Sequence, residues 1–243
     1  MKFLSALGFL SRIRVPQRAL AMPLNSVVHY FPFAGALIGG LTAGTYWLMQ
    51  FVLPSNLAIA ISMAASILIT GAFHEDGLAD TADAFGGGWS KAQVLTIMKD
   101  SRIGSFGAVA VSLALLIKFI ALSSLATDEI VFSMIFAHTL SRFMTLPVIK
   151  VANYVRFDGK SKPLADGITF AQLFFALTST ILVALLLPFP QVISCFFISA
   201  LITTYVTFRS FKRIGGYTGD VLGANQQISE IAIFTTLSAS IFN

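Results

Sequence analysis

The stretch SNLAIAISMAASILITGAFHEDGLADTADAFGGG, residues 55–88, joins an uncharged apolar run to a dense row of carboxylates with no linker between them. An apolar run of that length reads as a membrane-crossing helix, because about 20 such residues span the hydrocarbon core. The acidic row is then expected at the membrane edge. If the helix continues past Phe73, Asp76, Asp80 and Asp83 fall at i, i+4 and i+7 and share one face. Like charges stacked in this way repel one another and destabilise the helix unless a cation neutralises them. Oxygen ligands without cysteine favour Mg²⁺, Mn²⁺ or Ca²⁺ over Zn²⁺. Glu75 flanks the row as a further candidate ligand, whereas His74 has no partner at zinc spacing.

The rest of the chain repeats the apolar pattern. Of 243 residues, 56% are hydrophobic and 11% charged, against about 25% charged in soluble domains, and the mean hydropathy is +0.82. That composition excludes disorder, and the lone Cys195 excludes an internal disulfide scaffold. Apolar runs at 30–53, 55–73, 105–127, 130–151, 170–188, 191–208 and 228–242 predict an all-α, polytopic membrane helix bundle of about seven spans, in one domain covering 1–243. Pro54, and Pro188 with Pro190, mark tight hairpins between neighbouring spans.

Residues 1–20 place Phe3, Leu4, Leu7 and Leu10 at helical spacing, interrupted by Arg12, Arg14 and Arg18, which predicts an interfacial amphipathic helix. A signal peptide needs an unbroken apolar core, so this segment is expected to remain in the mature protein. Fourteen of the sixteen basic residues then fall on one side of the threading, among them Lys91, Lys99, Arg102, Lys150, Arg156, Lys160, Lys162, Arg209, Lys212 and Arg213. By the positive-inside rule that side, with the N-terminus and the long loops, is cytoplasmic. The basic balance is thus a matter of topology, and no nucleic acid partner is expected. Gly35, Gly39, Gly40 and Gly44 predict a close-packing face on the first span.

Further chemistry gathers around the acidic segment, 74–104. Gly86, Gly87 and Gly88 are expected to stop its helix and let backbone amides approach an anion. Lys99, Asp100 and Arg102 cluster where the third span begins, and cations beside a carboxylate row suit a phosphate-bearing substrate. Arg142, four residues after His138, is a functional candidate because an ionisable group inside a span is costly. Lys118 could snorkel toward either interface and carries no assignment. The segment RIGGYTGDVLGANQQISE, 213–230, reads as a folded site element with Asp220 between glycines. Together these features predict phosphoryl transfer at the membrane surface.

The segments FHEDGLADTADAF, IMKDSRIGSFG, HTLSRF and GGYTGDVLGAN, with SRIRVP and FPFAGALIGG near the start, resemble the cobalamin synthase family, the adenosylcobinamide-GDP ribazoletransferases. The resemblance covers nearly the whole chain. It departs from the family at Glu75, where an apolar residue is common. It implies that adenosylcobinamide-GDP reacts with α-ribazole, or its 5′-phosphate, to give adenosylcobalamin, or its 5′-phosphate, and GMP. It also implies Mg²⁺ as cofactor, held by Asp76, Asp80 and Asp83, with Asp100 or His74 orienting or deprotonating the attacking hydroxyl. Lys99, Arg102, Arg142, Gly219, Asp220 and Asn225 are the expected substrate-binding residues. The setting it implies is a bacterial or archaeal cell (inner) membrane, with a second copy or other corrinoid enzymes as candidate partners. A CDP-alcohol phosphotransferase fits less well, because Asp80 stands where its pattern has arginine. A cation-coupled transporter fits less well again, because such sites lie nearer the bilayer midplane.

Overall fold

A computed structural model describes residues 1–156 and 167–239; Lys160, Lys162 and the end of the last expected span, 240–242, lie outside the described residues. Within them the chain is helical, and the one β interaction is an isolated bridge between Tyr154 and Tyr217. The helices are α1 Lys2–Leu10, α2 Gln17–Leu20, α3 Phe31–Met49, α4 Ser55–Thr70, α5 Phe73–Gly87, α6 Lys91–Ile97 and α7 Ser105–Ser123. They continue with α8 Thr127–Phe143, α9 Thr145–Val151, α10 Phe170–Ala184, α11 Phe189–Ile214 and α12 Gly219–Leu237. Pro54 and Pro188 stand at the N-caps of α4 and α11, where a fixed φ and a missing N–H cost nothing.

Among the described residues three helical stretches are each long and apolar enough to cross a membrane: α7, α8 running into α9, and α11. The pair α4 and α5 meets the same measure jointly but bends by 87°. The seven apolar runs do form helices, but α10 has 15 residues, glycines dilute α3, and polar side chains interrupt α12. The outward faces carry Trp47, Leu113, Leu116, Phe174, Leu182, Phe197 and Leu201, all exposed. An apolar mantle of this extent would be a liability in water and belongs against lipid. The fold is a helical membrane bundle.

Two packing choices place the site. On α3, a Cβ at Gly39 would stand 2.9 Å from the Ile135 Cα, and one at Gly35 would overlap the His138 carbonyl oxygen, so α3 and α8 meet through these glycines. Gly40 and Gly44 meet nothing within 4 Å and take no part in that face. The other choice is α12, which begins at Gly219, well before residue 228, and is buried along most of its length against α5, α7, α8 and α11. Its polar residues Asn225, Gln226, Gln227 and Glu230 therefore lie inside the bundle. The N-terminal helix covers only Lys2–Leu10, and its apolar side, Ala6, Leu7 and Leu10, is buried against protein.

Candidate active site

The acidic helix does not continue α4 in a straight line. Gly71 (φ 68°) and Ala72 (φ 57°) are both left-handed, and these two residues turn the chain through the elbow. A new helix, α5, then starts at Phe73 and keeps Asp76, Asp80 and Asp83 in one register. Its far end is held by Arg213 of α11, which donates to the Phe85 and Gly88 carbonyl oxygens, a cation at a helix C-terminus. Gly86, Gly87 and Gly88 have no positive φ; the space beside Gly86 is filled by the Phe106 ring and that beside Gly88 by Val94. As expected the helix stops at these glycines, and Gly86 and Gly88 pack closely on their neighbours.

Close contact between α5 and α12 brings a fourth carboxylate to the row. A Cβ at Gly77 would stand 2.8 Å from the Asp220 carbonyl oxygen and 3.1 Å from the Gly223 Cα, so the backbones meet at these two glycines. Asp220 pairs with Arg156 at 2.9 Å. Arg156 is placed by backbone bonds on either side of the Tyr154–Tyr217 bridge: Val155 N–H to the Tyr217 oxygen at 3.0 Å and Tyr217 N–H to the Asn153 oxygen at 2.9 Å. Burial, then Asp76 and Asp220, push the Asp80 carboxyl up to about 7 against the opposing pull of Arg156. Burial likewise raises Asp220, opposed by Arg156.

Asp83 has a second employment. Its two oxygens accept the backbone N–H groups of Gly104 at 2.7 Å and Gly107 at 2.8 Å, at the start of α7. A Cβ at either glycine would collide with that carboxylate. Asp83, Asp100, Arg102 and Gly104 line one shallow surface cleft. In it Arg102 donates to Asp100 through Nη2 at 2.7 Å and Nε at 3.0 Å, and these bonds hold the Asp100 carboxyl down to about 2. A carboxylate so stabilised is a poor general base. Lys99 is exposed on the same segment.

Four expected site residues stand elsewhere. His74 is 4% exposed and packed by its backbone on Gly223. Gly219 lines a small interior cavity with His74 and Arg142. Asn225 is fully buried and donates to the Met144 carbonyl oxygen at 3.1 Å, tying α12 to the end of α8. Arg142 is 1% exposed and bonds His138 at Nδ1, 3.0 Å, and at its carbonyl oxygen, 2.9 Å.

Glu75 also departs from the row. Its Oε1 accepts from Gln227 at 3.1 Å, and it faces an interior cavity with Lys118, His138 and Glu230. There Lys118 donates to Glu230 at 2.7 Å and to Gln227 at 2.6 Å, while Gln226 donates to Glu230 at 2.6 Å. In the sequence Lys118 carries no assignment, and Gln226, Gln227 and Glu230 stand out only as part of the 213–230 site element. The available signal was a pair of opposite charges inside spans, but 112 positions separate them and no spacing rule joins them.

Among the described residues no three His, Cys, Asp or Glu side chains stand close enough together to hold an ion as placed. The donor set around Asp80 nonetheless suits a hard divalent cation, because Asp76, Asp220 and Asp83 bear on it against one guanidinium.

Fold and site define a polytopic helical membrane protein with an all-oxygen acidic site built from α5 and α12 at one end of its bundle. The model of the cobalamin-5-phosphate synthase family matches residues 2–238, and the chain belongs to that family. An adenosylcobinamide-GDP ribazoletransferase of Shewanella frigidimarina is 44% identical, over 98% of this chain and 94% of that relative. One of Shewanella woodyi is 42% identical, over 97% and 94%. No solved structure matches.

Proposed function

We propose that this chain transfers the cobinamide phosphate of adenosylcobinamide-GDP to α-ribazole, or its 5′-phosphate, and releases GMP. The observation that carries the reading is near full-length identity to proteins of that name, 44% over 98% of the chain. The acidic site supports it, since displacement at a diphosphate asks for charge neutralisation and positioning more than for covalent chemistry.

A ribose hydroxyl of the acceptor attacks the phosphorus that bears cobinamide, and the bond from that phosphorus to the bridging oxygen breaks, the oxygen leaving with GMP. Asp76 and Asp80, with Asp83 beside them, would hold Mg²⁺. Bound there, the cation would supply neutralisation of the diphosphate oxygens. Asp83 fixes the α5–α7 junction through Gly104 and Gly107 whether or not an ion is bound. The hydroxyl proton passes to Asp220, which is not one of those three aspartates and whose affinity for protons is raised by burial, a condition that Asp100 does not meet. Arg156 steadies Asp220, and Lys99 lies exposed on the approach. We place the protein in the inner membrane with this end in the cytoplasm, a reading supported by the one-sided distribution of basic residues.

Detergent-purified protein given adenosylcobinamide-GDP and α-ribazole should release GMP and form a cobalamin in Mg²⁺ but not in EDTA. The reading fails if an intact preparation releases no GMP, and it moves to an alcohol phosphotransferase if CDP-diacylglycerol and an alcohol yield CMP.

A further inference from the structure

A groove of about 890 Å³ opens between α1, the turn that follows α2 and the α4–α5 elbow, and it reaches Asp76 of the acidic row. Its size suits a nucleoside-sized ligand, small-molecule sites being about 300–1,000 Å³. Part of the wall is aromatic. Phe9 and Phe73 meet edge to face at 5.5 Å, and Phe9 stacks on Phe31 at 5.7 Å, so the aromatic shelf is fixed from behind. Leu20 and Met22 line the groove from the α2 side.

One cation is built into this wall. The Arg12 backbone N–H donates to the Ile69 carbonyl oxygen at 2.7 Å, pinning the segment after α1 to the end of α4. The Arg12 stem lies across Gly71, where a Cβ would stand 2.6 Å from Cδ, and the exposed Arg12 side chain lines the groove at the elbow. An aromatic shelf, an exposed guanidinium beside it and a lining that reaches Asp76 suit an aromatic base with two adjacent acceptors. Guanine presents O6 and N7 in the spacing that a guanidinium fork matches, whereas a benzimidazole base has no such pair.

We propose that this groove binds the guanine nucleoside of the donor substrate, with Arg12 donating to O6 and N7 of the base. The inference rests on the transferase reading given above and adds to it the residue that selects the nucleotide.

The test compares wild-type protein with Arg12→Lys and Arg12→Ala in detergent. It measures KM for each substrate separately, and inhibition by GMP and by AMP, which lacks the O6 acceptor. Arg12→Ala should raise the donor KM and the GMP inhibition constant about tenfold or more, leave the α-ribazole KM in place, and erase the preference for GMP over AMP. Arg12→Lys keeps the stem over Gly71 but loses the fork, and should lie between; it carries the test if the alanine variant does not fold. A rise in the α-ribazole KM instead, or an unchanged GMP preference, overturns the proposal. If wild-type protein makes no GMP, the transferase reading has failed; calorimetric titration of GMP and AMP into wild-type and Arg12→Lys protein then decides the groove by itself.

Discussion

Lys118 of α7 and Glu230 of α12 meet at 2.7 Å inside the bundle, their side chains 6% and 5% exposed. Each compensates the charge that the other would otherwise leave buried, and Gln226, Gln227 and His138 arrange themselves around the pair. Removing one partner of such a pair strands the other, at about 3–5 kcal/mol, whereas removing both is far cheaper. Lys118→Met and Glu230→Gln should each lower the thermal midpoint in detergent substantially, and the double variant should recover much of the loss. Single variants as stable as wild type would show that the pair does not hold α7 to α12.

The two roles of the acidic row separate by position. Asp83 accepts two backbone N–H groups at the start of α7, so Asp83→Ala should cost about 0.5–2 kcal/mol of stability as a lost cap in addition to any loss of activity. Asp80 is surrounded by other carboxylates, so Asp80→Asn should leave the melting temperature of the ion-free protein equal or higher. Its kcat/KM should nevertheless fall about 100-fold or more, since even the partners of metal ligands are worth 10–100-fold. An active Asp80→Asn enzyme would remove Asp80 from the proposed Mg²⁺ site.

The raised Asp80 carboxyl gives a pH dependence with a definite sign. Its pKa is about 7 in the folded chain and about 3.9 unfolded, so its contribution to stability is present at low pH and lost as pH rises through 7. Asp220, also raised, acts in the same direction. Ion-free protein should therefore melt lower at about pH 8.5 than at about pH 6, and Mg²⁺ should restore the midpoint more at the higher pH. Equal effects of Mg²⁺ at both values would place the ion elsewhere.

What the sequence discloses here follows from how local the signal is. The aspartate row is legible because i, i+4, i+7 spacing is a property of one helix, and the apolar runs are legible for the same reason. Asp220 is named from its glycine-flanked setting, but its approach to Asp80 depends on Gly77 meeting Gly223 across two helices. The misplacements have a matching cause. Glu75 and His74 adjoin the row in sequence, yet consecutive helical residues point about 100° apart, and these two turn toward the core. Asp100 and Arg102 are both polar and close in sequence, and they spend their charge on each other.

The glycines of α3 offer a test of the same distinction between sequence pattern and packing. All four have small-residue spacing, but only Gly35 and Gly39 face α8, where an added Cβ would meet backbone atoms that cannot swing aside. At Gly35 the obstacle is the His138 carbonyl oxygen, which also accepts from Arg142 at 2.9 Å, so a displaced α8 would disturb the buried Arg142 as well. Gly35→Ala should destabilise by roughly 1–3 kcal/mol, the range for overpacked interiors. At Gly44 nothing lies within 4 Å, and alanine is better than glycine in a helix by up to about 1 kcal/mol. Gly44→Ala should thus melt at or above the wild-type temperature in detergent. Equal losses at both positions would mean that α3 uses its whole glycine stripe against a surface other than α8.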